Sequence, residues 1–322
     1  MLKPPNEKHI LIHVGTYKTA SSSIQNLLYH NRAILKSSGI LYPLTGLIKS
    51  EEIGYRHRQL ITDYMTHKDK KYVPDALYTE IKESNCQTVI MSCEAWSHPA
   101  HLAHLGGMVT DLHGEFGTVS GIAYFRNLVD YQVSHYREFC LRNGNKATYR
   151  DYIKNPMGMF DYLHLAKQYR SIFGYQINFM QFKPKDIDPV TDFINTAKIT
   201  HLAKKFVATK AANQQKNSAL EIEIYRQINE LGIHRNQAAS FIQYLKSKQP
   251  DFFQEEWTER IADELPHISI HYRRQFADLI GWSLPYVESL FEAPSIKGRH
   301  VSEVRGPIHK ILVKWASSLA SA

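Results

Sequence analysis

A strand–turn–helix unit near the N-terminus constrains the fold more than any other feature of the sequence. His9–Val14 is apolar and rich in β-branched side chains, which predicts a short buried strand. After a turn at Gly15–Lys18, apolar side chains recur at helical spacing and predict a helix from Thr19 to Ser37, with Gly39 as its stop signal. The apolar stripe of this helix comprises Ile24, Leu27, Leu28, Ile34 and Leu35. A buried strand followed at once by an amphipathic helix indicates a parallel sheet.

Strand and helix patterns continue to alternate over the first two thirds of the chain. Strands are predicted at 88–91, 119–125 and 177–182, and helices at 129–141, 161–173 and 190–196, with another that begins at Pro74. Beyond Asn217 the patterns are helical, at 220–231, 238–245 and 276–290, before a basic loop at 294–307 and a terminal helix at 308–319. This order predicts an α/β class with a central parallel sheet flanked by helices and a helical C-terminal third. We expect one domain over 1–322, made of a core (1–200), a cap (201–293) and the terminal segment (294–322).

Composition narrows the classes of function. The formal net charge of +8 favours anionic ligands, but the sequence has no helix-turn-helix, zinc-finger or aromatic RNA-binding signature, so we expect no nucleic-acid partner. No apolar run reaches the length of a membrane span, and Met1–Lys8 lacks the pattern of a signal peptide, so we expect no stable membrane insertion and a cytoplasmic location. Cys86, Cys93 and Cys140 form neither a disulfide framework nor a zinc motif and are predicted to be buried small side chains.

The turn after the first strand is the most informative segment. It consists of Gly15, Thr16, Tyr17, Lys18, Thr19, Ala20, Ser21, Ser22 and Ser23. Loop amides, hydroxyls and a lysine at the start of a helix predict an anion site, because the first amides of a helix lack intrahelical partners and its dipole favours negative charge. The alternative is a Ser/Thr-rich helix cap beside a surface lysine. A nucleotide triphosphatase loop is disfavoured, since its lysine directly precedes Ser/Thr and follows a second glycine.

Two further places carry groups suited to a phosphate. Arg126 ends the predicted strand 119–125, and Ser134 follows about two helical turns later, so both side chains can meet one anion. Lys297, Gly298 and Arg299 combine two cations with a flexible turn near the C-terminus. The alternatives are an ordinary strand–helix junction for the first and a solvated basic loop for the second.

The three segments resemble those of one enzyme family. Lys18–Ser22 resembles the 5′-phosphosulfate loop, K-[TS]-G-[TS]-[TS], of sulfotransferases that use 3′-phosphoadenosine-5′-phosphosulfate (PAPS), with Ala20 in place of glycine. Residues 126–134 resemble the family's 3′-phosphate motif, R-x-P-x-D-x-x-x-S, with leucine in place of proline. Ser295–His300 is similar to the S-K-G-R-x-H-P loop of glucosaminyl sulfotransferases that act on heparan sulfate, with one inserted residue. The resemblance spans roughly residues 9–305, includes features of bacterial carbohydrate sulfotransferases, and implies a three-layer fold like that of the P-loop NTPases.

The resemblance also implies a reaction. PAPS would be the co-substrate and PAP the product, with in-line transfer of the sulfuryl group to an acceptor hydroxyl and no metal. Lys18 is the candidate for stabilising the leaving phosphate. Glu94, at the end of a predicted strand, and His57 are the candidates for the general base. The simpler interpretations are a surface carboxylate or a partner of Arg126 for Glu94, and an exposed histidine between two arginines for His57.

Other activities remain open at this stage. The acceptor is expected to be a carbohydrate or glycolipid, and the net positive charge suits an anionic one. The alternatives are a P-loop-type nucleotide kinase or hydrolase, and a non-catalytic protein that binds anionic glycans. His98, His101 and His104 lie close together in the sequence, but no third ligand accompanies a pair of them, so no metal site is predicted.

Overall fold

The computed structural model describes residues 7–49, 55–66, 71–154, 158–208, 217–260 and 268–320. Its centre is a five-stranded sheet in which every described strand pair is parallel, in the order β2-β3-β1-β4-β5. The strands of this sheet are β1 (Lys8–His13), β2 (Ile40–Leu41), β3 (Thr88–Ser92), β4 (Gly117–Phe125) and β5 (Ile177–Gln181). The prediction of an α/β class with a parallel sheet is therefore confirmed.

Helices make up most of the remaining described chain. They are α1 (Ser21–His30), α2 (Arg32–Ser37), α3 (Arg58–Thr66), α4 (Asp75–Glu83), α5 (Leu102–Phe116), α6 (Leu128–Arg142), α7 (Tyr149–Lys154), α8 (Tyr162–Phe173), α9 (Pro189–Thr196), α10 (Ala219–Glu230), α11 (Ala238–Lys248), α12 (Ile270–Ile280), α13 (Leu284–Phe291) and α14 (Ser302–Ala320). Short 3₁₀ helices occur at Glu94–Ser97, Pro99–His101, Thr200–Lys205, Arg235–Gln237 and Pro250–Phe253. Among the described helices, none has the length and apolarity that crossing a bilayer requires.

The sheet is covered on both faces, because the central strands are apolar on both. Leu11 and Ile122 lie in one core with side chains of α1, α2 and α9. On the other face, α5 and α8 pack on the sheet, and the ring of Phe125 lies 4.8 Å from that of Tyr162 in α8 and 5.1 Å from that of Phe276 in α12. These are the three layers of a P-loop-NTPase-like fold.

The chain forms two compact units. The first comprises Met1–Asn127, Met157–Asn213 and Ser269–Leu290, and it contains the sheet. The second comprises Leu128–Pro156, Gln214–Ile268 and Phe291–Ala322. Whether the chain behaves as the single domain expected from its sequence stays a prediction.

The described part of the second unit is mostly helical. The core of this unit joins α10, α11 and α14 through apolar side chains that include Leu220, Phe241 and Ile308. The helix α10 begins with a capping box, in which the Ser218 hydroxyl accepts from the amide of Glu221 (3.2 Å) and the Glu221 carboxylate accepts from the amide of Ser218 (2.9 Å). Two short strands, β6 (Trp257–Thr258) and β7 (Arg299–His300), pair in parallel in the same unit.

Three predicted segments differ from the structure. The helix expected over 19–37 breaks at Asn31, whose side-chain amide donates to the Leu27 carbonyl (2.9 Å) and accepts from the amide of Val207 (2.7 Å). The helix expected over 276–290 is two helices, because Gly281 adopts a φ of +76° and ends α12. The loop expected over 294–307 is already helical from Ser302. Pro307 lies inside α14 as its sixth residue, where it has no N–H to donate to the Glu303 carbonyl one turn earlier.

Candidate functional site

The loop between β1 and α1 is held in shape by two threonines. The Thr16 hydroxyl donates to the Tyr124 carbonyl in β4 (2.9 Å), and the Thr19 hydroxyl donates to the Thr16 carbonyl (2.7 Å). Both side chains are buried. These hydroxyls therefore fix the loop, and the loop's backbone amides and serine hydroxyls are the groups left to contact a ligand.

The loop backbone has the curvature of an anion-binding nest. Lys18 and Ala20 have left-handed φ values of +67° and +60°, and Ala20 precedes the right-handed residue Ser21 at the start of α1. A left-handed residue next to a right-handed one turns successive N–H groups toward one point. Ala20 caps α1 without a side-chain hydrogen bond, so the first amides of the helix have no side-chain cap. Ala20, which stands where the resembled motif has glycine, therefore adopts a backbone conformation that is strained for a residue with a Cβ.

Two buried polar atoms lie beside this nest. Gly15 has a φ of +52°, and a Cβ built there would lie 3.0 Å from Ser21 Oγ and 3.5 Å from His13 Nε2. Within the described part of the chain, neither of these atoms has a hydrogen-bond partner. Burial lowers the pKa of His13 to about 3, so its ring is neutral. A buried polar atom without a partner is costly, and a bound group that accepts from Ser21 would remove that cost.

Arg126 connects the loop to the next strand. Arg126 is the first residue after β4, and one terminal nitrogen of its guanidinium donates to the Lys18 carbonyl (3.0 Å). The Tyr162 hydroxyl fixes the Arg126 carbonyl (2.8 Å), and the guanidinium lies 5.6 Å from the centre of the Phe182 ring. The structure thus brings together two of the predicted anchors, the lysine loop and the arginine at the strand end.

A chain of hydrogen bonds runs below the loop from β1 to the end of β3. Ser92 Oγ lies 2.8 Å from His13 Nδ1. The amide nitrogen of Gln25, on α1, donates to Ser92 Oγ (3.2 Å) and to a carboxylate oxygen of Glu94 (2.9 Å). Gln25 is fully buried and Glu94 is 7% exposed. These contacts fix the Glu94 carboxylate at the edge where β3, β1 and β4 end side by side, which is where ligands bind in open parallel sheets.

The second oxygen of Glu94 accepts from Arg56 in an ion pair. Burial opposes the charge on Arg56, but the attraction of Glu94 outweighs it and raises the pKa of Arg56. Burial, reinforced by Cys93 and Glu94, raises the pKa of Tyr17, so this loop phenol is neutral. The interpretations of Glu94 as a surface carboxylate or a partner of Arg126 are both wrong, since it is buried and paired with Arg56.

His57 occupies a different environment. It is fully buried, not exposed as the simpler interpretation held, and its Nδ1 accepts from the amide of Ser92 (3.2 Å). Its Nε2 lies 3.1 Å from the Pro43 carbonyl, an acceptor, so this nitrogen carries the proton. Burial lowers the pKa of His57 to about 4, although its contacts with the Pro43 and Ser92 carbonyls oppose that shift. Both ring nitrogens are therefore engaged by backbone, whereas Glu94 is held by side chains next to the loop.

The remaining predicted anchors belong to the second unit. Ser134 is half-buried on α6, and Lys297 is exposed before β7. Gly298 has a φ of +83°, and a Cβ there would lie 2.2 Å from the Glu256 carbonyl oxygen, so the pairing of β6 with β7 itself requires glycine. Arg299 is paired with Glu303 (2.6 Å). Their binding of the same anion as the lysine loop stays a prediction.

The histidine cluster and the cysteines have structural roles. Trp96 donates to His104 Nδ1 (3.3 Å), and His101 Nδ1 lies 2.7 Å from the Ala95 carbonyl. Throughout the residues that the structure describes, no three His, Cys, Asp or Glu side chains gather as a metal site would require. The three cysteines are buried and free, as predicted.

Sequence reasoning missed several members of the site. Gln25 lies in a helix read only for its apolar stripe, and periodicity gives no sign that a glutamine would be buried there. Ser92 and His13 lie within strands read as purely apolar. Arg56 was noticed only as a neighbour of His57. Its one sequence signal was its position beside another candidate residue.

No protein-family model matches the chain, and no curated protein matches it either. Among solved structures, the chain is similar to a sulfotransferase from Alicyclobacillus acidocaldarius. The two share 16% sequence identity with a TM-score of 0.44, and the match covers 89% of this chain and 100% of the other.

Proposed function

We propose that this protein is a sulfotransferase that transfers the sulfuryl group of PAPS to a hydroxyl of a carbohydrate or glycolipid. One observation carries the proposal. The loop that carries Lys18, the arginine bonded to that loop, and the fixed Glu94 carboxylate follow the ends of three adjacent parallel strands at one edge of the sheet. The loop suits the phosphosulfate end of the donor, because nest amides, the start of α1 and the Ser21 hydroxyl favour an anion there.

Lys18 would stabilise the leaving group. As the bond between sulfur and the bridging oxygen breaks, negative charge develops on the 5′-phosphate of PAP. A cation already in place stabilises that charge without reorganisation in the transition state, which is the largest catalytic effect in many enzymes. Arg126, bonded to the Lys18 carbonyl, would keep the loop in this conformation and contribute a further cation for the donor's phosphates.

Glu94 would be the general base. The acceptor oxygen attacks sulfur and forms the new S–O bond while its proton passes to a Glu94 oxygen and PAP departs. Gln25 and Arg56 hold that carboxylate in one orientation, as proton transfer between fixed groups requires. His57 is the weaker candidate, because both of its nitrogens are engaged by backbone. Ser134, Lys297 and Arg299 would contact the 3′-phosphate, as the resemblance implies.

Nucleotide preference tests the proposal. Calorimetric titrations with PAP, ATP and Mg²⁺-ATP should show PAP binding at least tenfold more tightly than ATP with or without magnesium. Arg126→Gln should weaken PAP by roughly tenfold or more, since a hydrogen bond to a charged group contributes about 1.5–3 kcal/mol. Arg170→Gln is the matched control, because Arg170 is another arginine of the first unit and bonds the Leu279 carbonyl away from the loop.

Three outcomes would oppose the proposal. Equal binding of PAP and ATP would reject the donor. Magnesium-dependent ATP turnover would indicate a kinase or hydrolase. Tight PAP binding without transfer of labelled sulfate to any of a panel of neutral and anionic sugars would favour a protein that binds glycans without catalysis.

A further inference from the structure

The second unit contains a cavity of 270 Å³ whose lining includes none of the residues assigned to the transfer chemistry. Residues of α6, α7, α10 and the first turn of α14 line it, together with Glu259 and His300. The lining residues that carry the argument are Tyr136, Tyr149, Arg150, Glu223, Glu259 and Arg305. The volume is just below the roughly 300–1,000 Å³ of pockets for drug-sized ligands, so it suits a single small ring.

Buried ion pairs form one wall of the cavity. The side chain of Glu223 is 1% exposed and accepts from Arg226 (2.7 Å), Gln227 (3.0 Å) and Arg305 (3.0 Å). Glu259 is buried and binds Arg137 through both oxygens (2.6 and 3.0 Å). Both carboxylates are therefore neutralised by guanidinium groups. Buried pairs of this kind contribute little net stability, and here they hold the guanidinium groups around Glu223 in fixed positions.

Arg305 is the group positioned for a ligand. Its Nε donates to Glu223, which fixes the plane of the guanidinium, and its side chain is 34% exposed. Its two terminal nitrogens have no acceptor among the residues that the structure describes. A guanidinium held at Nε presents a planar pair of donors that matches a carboxylate or phosphate. Arg150, exposed on α7, adds a second positive charge at the cavity.

The other walls suit a hydroxylated ring. Tyr136 and Tyr149 also line the cavity; they meet edge to face with ring centres 5.4 Å apart, and both are largely buried. Thr148, His300 and Ser302 line the same space with hydroxyl and imidazole groups, and His300 is held by the Glu259 carbonyl (3.1 Å) and by Ser302 Oγ (2.7 Å). Cation, aromatic rings and small polar groups together fit an acidic sugar.

We propose that this cavity binds a hexose-sized, polyhydroxylated ring that carries one carboxylate or phosphate, with Arg305 as its anion-binding residue. This goes beyond sulfuryl transfer, because it assigns a second binding site whose ligand need be neither PAPS nor PAP. The site lies within one unit and uses none of the loop, strand-end or β7 residues assigned to the donor.

Titrations of the full-length protein with glucuronate, glucose 6-phosphate, glucose and inorganic phosphate test the assignment. At least one acidic sugar should bind saturably, with glucose at least tenfold weaker. A preference for glucuronate or for glucose 6-phosphate distinguishes a carboxylate from a phosphate. Arg305→Gln should weaken the acidic sugar by about tenfold or more and leave glucose unchanged. It should also fold, because Glu223 keeps Arg226 and Gln227 as partners.

Two further variants separate binding from folding. Arg150→Glu changes an exposed side chain and should weaken the acidic sugar several-fold. Arg142→Gln, an exposed arginine of α6 outside the cavity, should bind as the wild type does. The assignment is wrong if no acidic sugar binds below about 10 mM, if inorganic phosphate binds as tightly as glucose 6-phosphate, or if Arg305→Gln binds like the wild type. If PAP displaces the sugar, the cavity binds the nucleotide and the assignment is wrong. If an acidic sugar binds and PAP does not, only the proposed sulfotransferase function is rejected.

Discussion

The left-handed backbone at Ala20 predicts that the substitution Ala20→Gly raises the free energy of unfolding, whereas alanine-to-glycine substitutions usually lower it. Replacing alanine by glycine normally destabilises a protein, because glycine loses more conformational freedom on folding. At Ala20, with φ +60° and ψ +22°, the Cβ is strained against its own backbone. Ala20→Gly removes that Cβ and is expected to stabilise the protein.

The magnitude follows from three contributions. A non-glycine residue in the left-handed region costs roughly 1–2 kcal/mol. The added freedom of glycine in the unfolded chain costs roughly 0.4–1 kcal/mol. Glycine is also preferred over alanine at the N-cap position that Ala20 occupies in α1, which favours the variant further. The free energy of unfolding should therefore rise by about 0.5–1 kcal/mol.

Urea denaturation without nucleotide, followed by circular dichroism, measures the change against two controls. Lys198→Gly alters another left-handed residue, φ +58°, and should stabilise in the same way. Ala33→Gly alters an exposed alanine inside α2 and should destabilise by about 1 kcal/mol. If Ala20→Gly destabilised the protein as much as Ala33→Gly, the loop would not hold the left-handed conformation from which the nest, and with it the anion site, is inferred.

The remaining predictions concern catalysis and pH. Lys18→Ala should lower turnover by roughly 10²–10³-fold with the fold intact. Lys198→Ala, which shares the left-handed backbone, should transfer labelled sulfate normally, and equal activity of both variants would remove Lys18 from the mechanism. Glu94→Gln should lose roughly 10²-fold or more in turnover while PAP affinity, measured by calorimetry, changes little. Turnover per folded molecule that falls in His57→Ala and not in Glu94→Gln would reverse this assignment. Burial lowers the pKa of several described histidines, and furthest for three of them, to about 3 for His13 and about 4 for His57 and His104. Because the unfolded chain binds these protons near pH 6.5 and the folded protein does not, stability should fall as pH drops from about 6.5 toward 4, by up to roughly 1.4 kcal/mol per pH unit for each histidine. Urea midpoints that stay constant between pH 7 and pH 5 would contradict this.

The sheet could be predicted because its strands have a simple requirement. A central strand of a parallel sheet is buried on both faces and is therefore mostly apolar, as 88–91 and 119–125 are. The segment 177–182 contains the edge strand β5, in which buried residues alternate with more exposed ones, as expected for a strand with one more exposed face. The position of the loop could be predicted for a related reason. A short polar segment that joins a buried strand to an amphipathic helix lies at the end of the sheet, because the strand before it belongs to the sheet.

Helix boundaries were less predictable, because they depend on contacts between distant residues. Asn31 ends α1 with one hydrogen bond to its own helix and another to Val207, which is 176 residues away in the sequence. The periodicity of 19–37 is the same with or without that second contact. Pro307 was predicted to be the last residue of a loop, yet it lies inside α14, which already begins at Ser302.

The environment of the candidate base was the least predictable part of the site. His57 and Glu94 could be named from the sequence, but what separates them is which neighbours engage their polar atoms. The Ser92 amide and Pro43 carbonyl engage both nitrogens of His57, and Gln25 and Arg56 hold Glu94. Each of these partners lies far from the residue it contacts in sequence, and amino-acid type alone cannot distinguish a histidine that accepts a proton from one that supports a loop. The relative merit of two candidate bases is therefore decided by tertiary hydrogen bonds, and here those bonds favour the carboxylate.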